Sequence, residues 1–168
     1  MVASLEPDLE LGIGSAFKLY ILGTLIDDIE KGKRKWTDVT TIKKEHQSFP
    51  SGFLHSWHPD SPMTLHTLAT LMISQSDNTA TDHLLFVLGR ERVEEMVTKM
   101  GNTHAARNVP FLSTLELFKL KGGQQKELRK RYISGDAAAR RAILTKEVAA
   151  IDKKDVDLCG FAVKPVAI

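Results

Sequence analysis

The chain has 168 residues, 42% of them hydrophobic and 26% charged, ordinary globular values that exclude wholesale disorder, a collagen-like repeat and a coiled-coil rod. A balance of 23 Lys and Arg against 21 Asp and Glu leaves a net charge of +2, too little for the long-range field that nucleic-acid binders use, so no nucleic-acid partner is expected. Cys159 stands alone, without the second soft ligand a structural zinc needs, and no metal or other cofactor is implied.

The length suits one domain with a real core, expected to span residues 1–168, and is short for two. The longest apolar run, Phe17 to Ile26, is interrupted by Lys18 and closed by Asp27 and Asp28, well short of a transmembrane segment. Met1 to Asp8 lacks the basic region and cleavage site of a secretory leader, so an exported form would have had its signal removed.

Phe17, Ile21, Leu22, Leu25 and Ile29 recur at helical spacing up to Gly32, which predicts a helix from about Ser15 to Lys31. Extended segments are expected at Val2 to Leu5, Val39 to Ile42 and Phe161 to Ile168. Ser48 to Pro62, rich in proline and carrying two histidines, reads as a loop between two helical blocks. Thr64 can cap a helix with the apolar face Leu65, Leu68, Leu71 and Met72, which ends before the polar cluster Ser74 to Asn78. Ala80, Leu84, Leu85 and Leu88 outline the next helix up to Gly89, and Val93, Met96, Val97 and Met100 another up to Gly101. Ser113-Thr-Leu-Glu116 has the capping-box pattern and opens a helix through Leu120. Gln124 to Ile133 adds one more, and Asp136 can cap a last helix from Ala137 to about Ala150. The expected class is mainly α.

Ser15-Ala16-Phe17-Lys18 places a hydroxyl at a helix N-terminus and an amine one turn later on the same face. A lysine held in a dry pocket can serve as base to a serine that is a poor nucleophile by itself. First-turn N–H groups favour a developing oxyanion. Ser76-Asp77-Asn78 falls between two helices, where a turn can aim a hydroxyl and a carboxamide into a cleft. Taken alone, this tripeptide reads as a helix cap.

Together, Ser-x-x-Lys and Ser-Asp-Asn are two of the three signatures of the penicillin-recognising serine enzymes, class A β-lactamases and penicillin-binding proteins. The second continues as Ser76-Asp77-Asn78-Thr79-Ala80 into an apolar helix, and the two serines stand 61 positions apart, an interval like the family's. The stretch Asn108 to Phe118, after Arg90-Glu-Arg-Val-Glu-Glu, resembles serine hydrolases of β-lactamase-like fold outside the well-known resistance enzymes. The resemblance covers roughly Val2 to Phe118. It implies that Ser15 is acylated by a β-lactam, an ester or a cell-wall peptide, and that Lys18 helps take its proton. Ser76 would relay a proton to the leaving nitrogen, and Asn78 would hold Lys18 and the substrate amide. Asp77 would be structural. An extracytoplasmic location follows from the same analogy.

The third signature, Lys-Thr-Gly or Lys-Ser-Gly on a strand, does not occur in the chain. The resemblance therefore implies the helical part of a β-lactamase or transpeptidase-like α+β fold, with most of the sheet supplied by a further segment or an oligomer partner. Between Gly101 and Leu112 there is no carboxylate where class A enzymes carry their deacylating Glu. Glu116 reads as a capping-box partner, so slow deacylation is expected. The alternative is a non-catalytic helical binding or sensor domain that keeps the motifs as packing and caps.

Trp57 and Phe53 can overhang a pocket mouth, with Trp57 touching substrate. His55 and His58 lack the further ligands of a metal set. His66 and His83 read as helix side chains, partly exposed or hydrogen-bonded. The basic run Lys119, Lys121, Lys126, Arg129, Lys130 and Arg131 reads as a solvated helix face. Cys159 reads as a small hydrophobe.

Overall fold

The computed structural model describes residues 12–122 and 125–158. The strands expected at Val2 to Leu5 and Phe161 to Ile168, and Cys159, lie outside them. A 3₁₀ turn at Gly14–Phe17 leads into α1, Lys18–Glu30. The spacing of Ile21 and Leu25 puts both fully inside, so one stripe of α1 faces the core while Leu19 and Ile26 stay exposed.

Strand β1, Val39–Thr41, pairs antiparallel with β2, Pro62–Thr64, with Val39 opposite Thr64. The second strand falls at the end of the predicted loop: three residues beginning with proline carry no strand pattern, and only the partner reveals them. Helix α2, Leu65–Ser74, starts at the Thr64 cap, whose hydroxyl accepts from the Thr67 N–H at 3.0 Å.

Helix α3, Asn78–Leu88, is the axis of the molecule. Every residue from Asn78 to Leu85 is buried, so it is covered all round by α1, α2, α4 (Arg90–Lys99) and α5 (Thr114–Gly122). Burying side chains such as Leu84 and Leu85, both at 0% exposure, stabilises by about 1.5–3 kcal/mol each. Such a helix can carry polar residues only where each finds a partner.

Asp27 and Asp28 at the end of α1 are buried and clamp α4. Arg92 reaches Asp28 at 2.8 Å and Asp27 at 3.3 Å, and Lys99 reaches Asp27 at 2.5 Å. Lys31 and Lys99 beside Asp27 hold its carboxyl well below the usual range.

Helix α6, Lys126–Ser134, and α7, Ala137–Ile143, build a second apolar cluster around Leu120, Leu128, Ile143, Leu144 and Val148. Asp136 caps α7 through the Ala139 N–H at 2.8 Å. The predicted continuation to Ala150 changes winding: Leu144–Val148 is a π-helical turn. The basic run is not wholly a solvated face. Lys119 is 8% exposed and donates to the Ala149 carbonyl at 3.2 Å, because α7 and its π turn fold over that side of α5. With seven α-helices and one two-stranded sheet among the described residues, the mainly α class holds.

Candidate active site

The 3₁₀ turn leaves Ser15 exposed, and the first residue of α1, Lys18, points inward at 2% exposure. The loop from Gln75 to Asp77 brings the second motif against them. Lys18 Nζ donates to the Ser76 carbonyl at 2.6 Å, to Ser76 Oγ at 3.0 Å and to Asn78 Oδ1 at 2.9 Å. Ser76 Oγ in turn donates to Ser15 Oγ at 2.9 Å. Lysine, serine and serine thus form one hydrogen-bonded chain from the interior to the surface.

All three ammonium protons of Lys18 are used. Its partners are neutral and its surroundings dry, so burial lowers its pKa to about 8, although Asp77 and Asp82 pull the other way.

Ser76 sits at φ 52°, a left-handed conformation uncommon for a residue with a side chain. It is held from both sides. Ser51 Oγ donates to the same Ser76 carbonyl at 2.6 Å, and the Asn78 N–H donates to the Ser51 carbonyl at 3.2 Å. Asn78 Nδ2 donates to the Phe49 carbonyl at 3.1 Å.

Asp77 is fully buried. Its Oδ1 caps α3 through the Ala80 N–H at 2.9 Å, and its Oδ2 accepts from the Phe53 and Leu54 N–H groups at 2.8 and 2.9 Å. This one carboxylate orders both the turn and the proline-rich loop. Trp57 is 42% exposed and lies against Phe53, with ring centroids 6.1 Å apart. It belongs to the proline-rich loop whose Phe53 and Leu54 N–H groups Asp77 holds.

Glu116 is the capping-box partner that its spacing predicts: Ser113 N–H donates to it at 2.8 Å, and Ser113 Oγ accepts from the Glu116 N–H at 3.1 Å. Arg90 also grips it with two bonds, at 2.8 and 2.9 Å. His83 is buried, accepting from the Lys43 N–H at 2.7 Å and bonding the Thr79 carbonyl at 2.7 Å. His66 is exposed against Trp36. Among the described residues no group of three or more His, Cys, Asp or Glu is placed to hold a metal, and no helix is long and apolar enough to cross a membrane.

Sequence reasoning passed over two contributors. Ser51 looks like any loop serine, and its role depends on a carbonyl 25 positions away. Asp82 is fully buried on α3 and accepts from the Thr114 and Leu115 N–H groups at 2.7 and 3.0 Å. The available signal was an acid inside an apolar helical run.

The family model described as "Beta-lactamase enzyme family" matches residues 2–153. Among solved structures, the chain is similar to a beta-lactamase from Sphaerobacter thermophilus DSM 20745, with 22% identity, a TM-score of 0.51, and coverage of 78% of this chain and 52% of that one. It is also similar to PBP-A, with 22% identity, a TM-score of 0.55, and coverage of 80% of this chain and 52% of that one. The L158E mutant of PBP-A, captured as an acyl-enzyme with penicillin-G, is similar at 20% identity with a TM-score of 0.55 over 82% of this chain and 54% of that one. The chain spans about half the length of these structures, and the likeness in fold falls on their helical portion. No curated protein matches it.

Proposed function

Since this chain belongs to the beta-lactamase enzyme family, we propose that it works as a serine hydrolase whose Ser15 is acylated by a β-lactam amide, an ester or a cell-wall peptide. The observation that carries the reading is the unbroken path from Lys18 through Ser76 to Ser15, at 3.0 and 2.9 Å. With Lys18 as ammonium, donation runs outward, from lysine to Ser76 to Ser15. Neutral Lys18 has two protons and a lone pair. Keeping its bonds to the Ser76 carbonyl and Asn78, it accepts from Ser76 Oγ, and Ser76 Oγ accepts from Ser15.

In that arrangement Ser15 Oγ attacks the substrate carbonyl carbon while its proton passes to Ser76 and the Ser76 proton passes to Lys18 Nζ. When the C–N or C–O bond breaks, the leaving atom takes a proton back from Ser76, which is resupplied by Lys18. The acyl group stays on Ser15. Asn78 keeps Lys18 in place and offers its Nδ2 to the substrate carbonyl in exchange for Phe49. Trp57 and Phe53 form the outer rim against which a substrate side chain rests.

Deacylation is the slow step. No carboxylate occurs between Gly101 and Leu112, and Glu116 is committed to Arg90 and Ser113. The chain holds no Lys-Thr-Gly or Lys-Ser-Gly sequence, and in this reading the strand that carries it belongs to a further segment or a partner. An extracytoplasmic location accompanies this reading.

Incubation with a fluorophosphonate or penicillin, followed by mapping of the adduct by mass spectrometry, tests the proposal. Ser15 should be labelled and Ser15→Ala should not. Absence of label on Ser15, with stability and ligand binding untouched in Ser15→Ala, would favour a non-catalytic binding domain that keeps the motifs as caps.

A further inference from the structure

The peptide that joins Ser76 to Asp77 has every polar atom taken. Its N–H, on Asp77, donates to the Leu71 carbonyl in α2 at 3.1 Å. Its carbonyl accepts twice, from Lys18 Nζ and from Ser51 Oγ, both at 2.6 Å, so both lone pairs are filled. Lys18 belongs to the proton path. Ser51 does not, and proton transfer through Ser76 Oγ has no chemical need of it.

What Ser76 does need is its left-handed backbone, φ 52°, which costs free energy for a residue with a side chain and persists only where the surroundings over-determine it. In this conformation the Ser76 carbonyl and hydroxyl both face the same amine, at 2.6 and 3.0 Å. Lys18 is a poor anchor for that turn, because it gains and loses a proton during the reaction and its donors fall from three to two. A hydroxyl keeps its one donor throughout. Ser51 is itself fixed: its carbonyl accepts from the Asn78 N–H at 3.2 Å, and the residues that follow dock on Asp77 through the Phe53 and Leu54 N–H groups. Its side chain is exposed, so removing the hydroxyl opens no cavity in the core.

We propose that Ser51 is a positioning residue for acylation: its hydroxyl, bonded to the Ser76 carbonyl, holds Ser76 in the left-handed turn and so keeps Ser76 Oγ between Lys18 and Ser15 while the proton moves. No bond forms or breaks at Ser51. The inference rests on the acylation of Ser15 proposed above, and adds to it a residue that acts through Ser76.

Ser51→Ala removes this one side-chain bond and leaves the Ser51 carbonyl in place. With p-nitrophenyl acetate, and Ser15→Ala as the blank, the burst rate constant should fall about five- to tenfold, the worth of one net hydrogen bond. The ester concentration that gives half the maximal rate should not change, because Ser51 acts on Ser76 and not on substrate. Ser51→Thr keeps the hydroxyl and should recover the rate. In a Ser76→Ala chain, adding Ser51→Ala should cost nothing more, since the group it positions is gone. A readout without any substrate is the NMR shift of Ser76 Cα and Cβ, which should move in Ser51→Ala and return in Ser51→Thr. The proposal is overturned by a Ser51→Ala burst as fast as the wild type, by a loss confined to the half-saturating concentration, by an equal loss in the Ser76→Ala background, or by Ser76 carbon shifts that stay put. A wild type with neither burst nor label on Ser15 ends the acylation reading and this inference with it, whereas a labelled wild type matched in rate by Ser51→Ala ends this inference alone.

Discussion

A Cβ built on Gly52 would stand 2.1 Å from Asp77 Oδ2 and 2.5 Å from Asp77 Cβ. Only glycine lets the loop backbone approach this closely, and only because it does can the next two N–H groups, of Phe53 and Leu54, both reach the same carboxylate oxygen. Gly52 also sits at φ 82°, where a side chain is strained.

Gly52→Ala should therefore destabilise the chain by about 2–4 kcal/mol, combining overpacking with backbone strain. A denaturant titration measures this. Because Asp77 also orders the Ser76 turn, covalent labelling of Ser15 should fall as well. A substitution that leaves both unchanged would show that the loop can move off Asp77 freely.

The relay makes acylation depend on neutral Lys18. With a pKa lowered to about 8, the rate of Ser15 labelling should rise about tenfold per pH unit below that value and level off above it. Stability has its own pH dependence. Between about 8 in the folded chain and the ordinary 10.5, the unfolded chain binds more protons, so the contribution of Lys18 to stability grows as pH rises through that window. Lys18→Met should abolish both slopes. Labelling rates and melting temperatures from pH 6 to 10 check the pair.

Ser76→Ala cuts the chain between lysine and nucleophile and should slow acylation by about 10²- to 10⁴-fold, the usual worth of a positioned proton carrier. Stopped-flow with a chromogenic ester reads the burst. An undiminished burst would require a direct path from Ser15 to Lys18.

Glu116→Gln should destabilise by about 2 kcal/mol, more than a capping box alone is worth, because it leaves the Arg90 fork half-paired with both side chains under 20% exposed. The slow steady-state phase after the burst should not change. Sustained turnover that the variant abolishes would instead make Glu116 the deacylating base.

Burial raises the carboxyl of Asp82 to about 7 against the donation of two N–H groups. A folded pKa above the unfolded one means that the folded chain holds the extra proton. The stability this group contributes is complete below about 4 and is lost as pH rises toward 7. The melting temperature of the wild type should fall relative to that of Asp82→Asn as pH rises from 4 to 7.5, since the substitution removes the titrating group.

Local sequence determined the helices, their caps and the two motifs. Thr64, Asp77, Ser113 and Asp136 each cap through bonds spanning three residues, and such short-range bonds follow from residue type and spacing. Ser-x-x-Lys and Ser-Asp-Asn were legible for the same reason. What joins them was not: the bond from Ser76 to Ser15 crosses 61 positions and the one from Lys18 to Asn78 crosses 60. Only the packing of α1 against α3 brings those partners together. The desolvation that lowers Lys18, the burial that takes Lys119 out of the basic face, and the pairing of Pro62–Thr64 with β1 all depend on neighbours that local periodicity does not encode.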